Sequence, residues 1–354
     1  MSTYEILGLQ DKNTWNEYLR KFPVERQDIY FTPEYYALHE NLGDGKAQCF
    51  VFQNETGMAL YPFLINSVND LNYDLNQDYY DIQGAYGYNG VISNTFDVSF
   101  IDDFYQAFNN YCDKKNIIAE FTRFHPLLGN INFSQKYLSV YFDRKTVYID
   151  LNQGYDQIFN KFQTNTQKQI KKTFSKYNID VIKIEKDTSK IDVFLKIYHE
   201  TMDRVRSVDY LYFSADYFKS LINEVNSTLF IALFEKKPIA STIAIYSKHY
   251  IHSHLGGARS NYLYTSIYSR MYEEMIKLGI EKGCRYFDAG GGATKKGDDN
   301  LLKFKLHFSP TTSKFYIGKC IRNKKVYNSV VNQWSKKCPS KISKHNNLIL
   351  KYRY

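Results

Sequence analysis

The chain has 354 residues and carries 46 lysines and arginines against 37 aspartates and glutamates, a formal charge of +9 with a pI near 9.0. That length suits two domains of ordinary size, and 44% hydrophobic with 17% aromatic residues excludes general disorder. The positive excess attracts anions at long range but, read as spread along the chain, it does not single out nucleic acid over phosphorylated substrates.

Met1 to Gln10 lacks a basic stretch followed by an apolar one, and no window approaches a membrane span; a cytoplasmic protein is expected, reaching at most the inner face of a membrane. In chain order, Leu9 to Phe22 reads as a helix started by Asp11 or Asn13 and stopped before Pro23. Pro33 to Glu40 reads as a second, with Thr32 as N-cap and Pro33 at the first position. Cys49 to Phe52 and Met58 to Ile65 form a strand hairpin around Gln53 to Gly57. Tyr79 to Ile82 runs into the glycine–aromatic loop Gln83 to Gly90. The helix Phe100 to Lys114 follows, with Phe104, Phe108 and Tyr111 on one face. Strand Ile117 to Phe121 then ends in Thr122-Arg123-Phe124-His125-Pro126. Tyr155 to Tyr177 is a helical stretch bearing Lys161, Lys168, Lys171, Lys172 and Lys176, which makes either a solvated face or a landing strip for tRNA or an anionic membrane. Ile191 to Val205 is a further helix.

The order of the first half recurs about 170 residues on. Leu229 to Phe234 and Ile239 to Tyr246 form a hairpin, His252-Ser253-His254-Leu255 follows an apolar pair, and Gly256 to Tyr262 reads as a loop. A helix then begins near Thr265, with Ile267, Met271, Met275 and Leu278 on one face and Gly283 at its end. Arg285 to Asp288 is a short strand running into Ala289-Gly290-Gly291-Gly292-Ala293, where absent side chains admit positive φ and close approach of a ligand. The identities barely agree, so a duplication rests on element order alone. The five cysteines, Cys49, Cys112, Cys284, Cys320 and Cys338, have no metal or redox spacing and read as reduced thiols. His252 and His254 alternate along one strand face, with no third ligand at a spacing that suits a metal.

Taken together, His254-Leu255-Gly256-Gly257-Ala258, Tyr286-Phe287-Asp288-Ala289-Gly290-Gly291-Gly292 and Phe304-Lys305-Leu306-His307-Phe308 resemble the C-terminal pattern of Fem-type aminoacyltransferases and their GNAT-like relatives. Tyr86-Gly87-Tyr88-Asn89-Gly90 and Arg123-Phe124-His125-Pro126 are similar to the N-terminal motifs of that group, and Thr166 to Lys172 to its connecting segment, so the resemblance spans roughly Phe50 to Phe308. It implies an α/β fold of two tandem GNAT-like domains around a shared cleft. The expected division is 1–150 on the acceptor side, 151–330 carrying the donor and catalytic site, and 331–354 as a basic tail. The implied activity moves an aminoacyl or acyl group onto an amine of a muropeptide or of a nucleotide- or lipid-linked amino sugar. The segment before the Thr265 helix offers Gly256-Gly257-Ala258-Arg259 in place of the R-x-x-G-x-G/A pyrophosphate signature. Aminoacyl-tRNA or a carrier-bound acyl group is therefore favoured over acetyl-CoA as donor, with no cofactor tightly bound. Acetyl-CoA-dependent N-acetylation of a sugar is the alternative enzyme, and a non-catalytic glycan- or anion-binding protein the alternative class.

Amine attack on an ester or thioester builds charge on the carbonyl oxygen and releases a proton, so donors and a base are required. Lys305 is the first candidate for the oxyanion or a donor phosphate, against an ordinary solvated lysine. Asp288 is the candidate to orient or deprotonate the amine, against a loop cap, and His254 a candidate base, against a core histidine. Gly256, Gly257, Gly290, Gly291 and Gly292 are candidates to line the donor, against tight turns. Tyr86, Tyr88, Arg123, His125, Arg259 and Tyr262 are candidates to bind substrate, against packing roles.

Overall fold

The structure, a computed structural model, describes residues 3–295 and 297–354. It divides into two compact units, the first comprising Met1–Arg26, Tyr30–Asp143 and Phe315–Tyr354, the second Gln27–Ile29 and Arg144–Lys314.

The first unit begins with β1 (Thr3–Leu7), α1 (Lys12–Arg20) and α2 (Pro33–Asn41), then β2 (Lys46–Gln53), β3 (Met58–Ser67), β4 (Tyr80–Gln83), the two-residue β5 (Ile92–Ser93), α3 (Val98–Lys114) and β6 (Ile117–Arg123). Thr32 accepts from the Tyr35 amide and Pro33 opens α2, as its sequence predicts. Asp97 caps α3 through the Phe100 amide. Strands β1 to β4 are antiparallel neighbours and β4 pairs parallel with β6. Phe104, Phe108 and Tyr111 of α3 pack on Phe50, Tyr61 and Phe63 of the sheet, which explains the aromatic abundance: ring on ring fills the layer between helix and sheet.

The second unit takes Arg144–Asp150 of β7 (Ser139–Asp150), then α4 (Tyr155–Lys161), α5 (Thr164–Ser175), β8 (Asp180–Ile184), α6 (Ile191–Arg204), α7 (Ala215–Glu224), β9 (Ser227–Phe234), β10 (Lys237–Tyr246), β11 (Tyr250–Ala258), α8 (Ile267–Glu281), β12 (Tyr286–Gly291) and α9 (Asn300–Leu306). Its strand order is β7-β12-β11-β10-β9-β8, with β11 and β12 parallel and the other pairs antiparallel. Ile267, Met271, Met275 and Leu278 of α8 are all buried. β13 (Thr312–Ile321) then pairs antiparallel with β6 through Ile317–Ile321, and α10 (Lys324–Lys337) and α11 (Ile342–His345) complete the first unit.

The two units repeat one plan. The run β1-α1-α2-β2-β3-β4-α3-β6 corresponds to β8-α6-α7-β9-β10-β11-α8-β12, in each case a hairpin, a third strand, a crossover helix and a parallel return strand. Gly84 follows β4 and Gly256 lies near the end of β11, so the two glycine segments hold corresponding positions.

Several boundaries differ from the sequence reading. Tyr155 to Tyr177 is two helices, because Phe162 and Gln163 are extended and Phe162 turns inward against Phe308. β11 runs straight through Gly256 and Gly257, and a 3-10 turn at Ser260–Thr265 precedes α8. The division expected at 150 falls inside β7, at Asp143. Residues 331–354 are no tail: Trp334, Ile349, Leu350 and Tyr352 join Val68, Tyr79 and Ile118 in a buried cluster, and Arg353 pairs with the buried Asp81.

Candidate active site

The site gathers where β12 ends. A register shift leaves Ala289 without a partner between Asp288, opposite Tyr148, and Gly290, opposite Val147. This bulge twists the strand end and re-aims its residues. Gly290 has φ +74, and a Cβ there would lie 3.3 Å from Lys305 Nζ; at Gly292 a Cβ would meet Asp299 Oδ1 at 2.5 Å. The glycine run therefore makes room for two charged side chains of the segment that follows.

Asp299 organises that segment. It caps α9 through the Leu302 amide and accepts from the amides of Ala293 and Thr294; although partial burial opposes ionisation, these bonds hold its pKa down to about 2. α9 thus presents its two lysines differently. Lys303 faces solvent beside Asp298. Lys305 is 7% exposed and donates to the carbonyl of Gly291 at 2.6 Å. Burial lowers its pKa to about 8, against the pull of Asp288 and Asp299 and together with the push of Arg144. Arg144 itself donates to the Gly292 carbonyl at 2.8 Å.

Asp288 accepts from the Gly290 amide at 2.9 Å and faces His252 Nδ1 at 3.2 Å, while His252 Nε2 lies 2.9 Å from Asp28. All three are buried. Burial alone would depress the histidine, but the two carboxylates outweigh it, Asp28 first, and raise its pKa to about 9. The result is a buried line of Asp28, His252 and Asp288, whose last carboxylate favours the charged form of Lys305.

Other predicted residues lie elsewhere. His254 is the extra residue of a second bulge, since Ile243 faces Leu255 and Ala244 faces Ser253. The alternation that put both histidines on one face is therefore broken, and His254 Nε2 meets Tyr217 of α7 at 3.0 Å. Gly256 and Gly257 serve packing: a Cβ would fall 2.8 Å from the Ser241 carbonyl in one case and from the Ile197 carbonyl in the other. Gly291 lies against the stem of Arg144, 2.8 Å from where its Cβ would be. Arg259 and Tyr262 line a cavity of about 360 Å³ with Glu200, Lys237 and Asn261, where Arg259 Nε donates to the Pro238 carbonyl. In the first unit, Arg123 donates to the carbonyls of Gly84 and Ala85. His125 Nδ1 accepts from the amides of Leu127 and Leu128, and Tyr88 stacks edge-on against His125. Tyr86 offers its carbonyl to Tyr35. Sequence reading passed over Asp28, Arg144 and Asp299, which belong to no motif. It named His252 only as a partner of His254.

A family model described as an acetyltransferase (GNAT) domain matches residues 160–304. No curated protein matches the chain by sequence. Among solved structures, that of FemX aligns with a TM-score of 0.67 at 10% identity over 92% of this chain and 99% of its own. The C-terminal domain of a putative lysylphosphatidylglycerol synthetase from Agrobacterium fabrum aligns at 0.54 and 11% identity, over 88% and 92%. A tandem GNAT protein from the clavulanic acid biosynthesis pathway aligns at 0.52 and 7%, over 91% and 99%. At such identities the likeness is one of fold. The chain is a mixed α/β protein of tandem GNAT-like architecture, and its residues 160–304 match an acetyltransferase (GNAT) domain.

Proposed function

We propose that the chain transfers an aminoacyl or acyl group to an amine of a cell-envelope precursor, a muropeptide or a nucleotide- or lipid-linked amino sugar, with the chemistry centred on Lys305. One observation carries this reading: a buried ammonium held on the Gly291 carbonyl at the strand end of a GNAT domain. The amine attacks the ester or thioester carbon, the carbonyl oxygen takes up the charge, and the Lys305 ammonium stabilises it in the transition state. Asp288, fixed by His252 and the Gly290 amide, orients the amine. Asp288 takes the proton that the attacking nitrogen loses and returns it to the alcohol or thiol, which leaves as the tetrahedral intermediate collapses.

The fold likeness to FemX and to lysylphosphatidylglycerol synthetases supports aminoacyl-tRNA as donor and a wall or lipid precursor as acceptor. In this reading the second unit takes the donor, with Arg259 and Tyr262 beside it. The first unit takes the acceptor through the Tyr86–Tyr88 loop, which Arg123 and His125 shape. Acetyl-CoA is the second donor to consider, because the matched domain is of the acetyltransferase type. The test is a transfer assay with charged tRNA and with acetyl-CoA, each against muropeptide and amino-sugar acceptors. Transfer from charged tRNA that falls with Lys305→Ala and survives Lys303→Ala supports the reading. Transfer from acetyl-CoA alone selects the alternative donor, and no transfer with any pair overturns the acceptor class.

A further inference from the structure

The positive charge of this protein is concentrated in one place. Residues 315–354 contain eight lysines and two arginines and no acidic residue, while the rest of the chain carries 36 basic against 37 acidic residues and is close to neutral. The even spread assumed from composition is thus corrected by position. Both arginines are committed inward, Arg322 to Glu120 and Arg353 to Asp81. What remains outward is lysine. Lys324, Lys325, Lys336, Lys337, Lys341 and Lys344 are all exposed, on a segment anchored by the buried Tyr327, Val330 and Trp334. On α10 the anchoring residues occupy one side, and Lys325 and Lys336 sit near the middle of the other, where a 3.6-residue period brings them to the same face.

The same region of the first unit holds a concavity of about 450 Å³ whose walls include Tyr141, Ile321 and Leu348. These are 52%, 46% and 40% exposed, among the large apolar side chains the chain leaves in water. Lys319 and Lys351 also line it, their ammoniums resting on the Asn347 and Asn346 carbonyls. Exposed aliphatic and aromatic groups beside Lys319 and Lys351, on the segment that also carries the outward lysines, match an anionic lipid surface: the headgroup layer takes the charges and the acyl boundary takes the apolar tips. Recognition of RNA would favour outward arginine forks and aromatic stacking platforms. Here the arginines are turned inward, and two of the three exposed walls are aliphatic and offer no ring to a base. No helix among the described residues is long and apolar enough to cross a membrane, so the contact is one of surface attachment.

We propose that residues 315–354, with Tyr141, form a docking face for membranes rich in anionic lipid. This inference is independent of the acyl-transfer reading. The test is flotation of the full chain with vesicles of phosphatidylcholine alone and of phosphatidylcholine with phosphatidylglycerol in equal parts. Binding to the mixed vesicles only, weakened by salt, is expected. Each lysine removed from the surface should weaken it roughly fivefold. The variant Lys325→Glu/Lys336→Glu/Lys341→Glu/Lys344→Glu should lose binding on the order of a hundredfold or more, with its circular dichroism unchanged. Ile321→Ser/Leu348→Ser should weaken the part of binding that persists in high salt. Lys168→Glu/Lys171→Glu on α5 should leave binding intact. Should the fourfold variant fold poorly, Lys325→Gln/Lys336→Gln gives the same comparison with less charge change. Equal binding to both vesicle types, retention by the 325/336 variants, loss with the α5 pair, or indifference to vesicles with salt-sensitive binding to an RNA duplex would each overturn the proposal.

Discussion

Lys305 Nζ and the carbonyl oxygen of Gly291 are 2.6 Å apart, so the ammonium is held at the end of β12 by a backbone group and not by a carboxylate. That choice matters chemically. A carbonyl fixes the position of the cation without neutralising it, leaving its charge available to an oxyanion.

Lys305→Ala should therefore lower kcat on the order of 100-fold while changing KM little. Lys303→Ala, which removes an exposed lysine beside Asp298, should change neither. Equal activity of the two variants in a transfer assay would refute the assignment.

The pH dependence follows from burial. Lys305, lowered to about 8, is charged below that pH, so turnover that needs the ammonium should fall as pH rises through about 8. A lysine acting as base would give the opposite limb. For stability the sign is reversed. The folded pKa lies below the unfolded value of about 10.5, so the buried charge costs stability below pH 8, and that cost is relieved between about 8 and 10.5.

His252 runs the other way. Its folded pKa of about 9 exceeds the unfolded value near 6.5, so its contribution to stability is complete below about 6.5 and is lost as pH rises through 9. Nitrogen shifts of the labelled imidazole should report both nitrogens protonated at pH 7. His252→Gln should flatten the slope of melting temperature between pH 6.5 and 9; an unchanged slope would rule out the ion pairs with Asp28 and Asp288.

Gly257→Ala tests close packing. Its Cβ would fall 2.4 Å from Thr201 Oγ1 and 2.8 Å from the Ile197 carbonyl, and backbone cannot rotate away, so a loss of about 1–3 kcal/mol is expected from overpacking. Chemical denaturation measures it. Tolerance of alanine there would show that α6 is less tightly seated on β11 than its contacts indicate.

Trp334→Ala should destabilise by about 3–5 kcal/mol, because the ring is 1% exposed and its Nε1 donates to the Tyr354 carbonyl. A tail of the kind the charge pattern suggests would lose nothing. Thermal unfolding distinguishes the two.

The sequence by itself determined what rests on local spacing and on local chemistry. Period and caps located α2, α3 and α8, alternation and turn residues located the β2–β3 and β9–β10 hairpins, and element order exposed the repeat. Lys305 and Asp288 stand out as candidates in the sequence because each lies inside a short pattern. Tertiary structure alone decided the rest. β7 and β13 are recognisable as strands only through their pairing with β12 and β6, partners far away in sequence. Asp28 reaches His252 across 224 residues, a separation no periodicity spans. His252 and His254 part company because a bulge inserts one residue, and a single insertion reverses which face a side chain takes. The C-terminal lysines look like a tail until Trp334 and Tyr352 are seen buried, since charge count registers composition while burial depends on which apolar groups the rest of the chain brings to meet them.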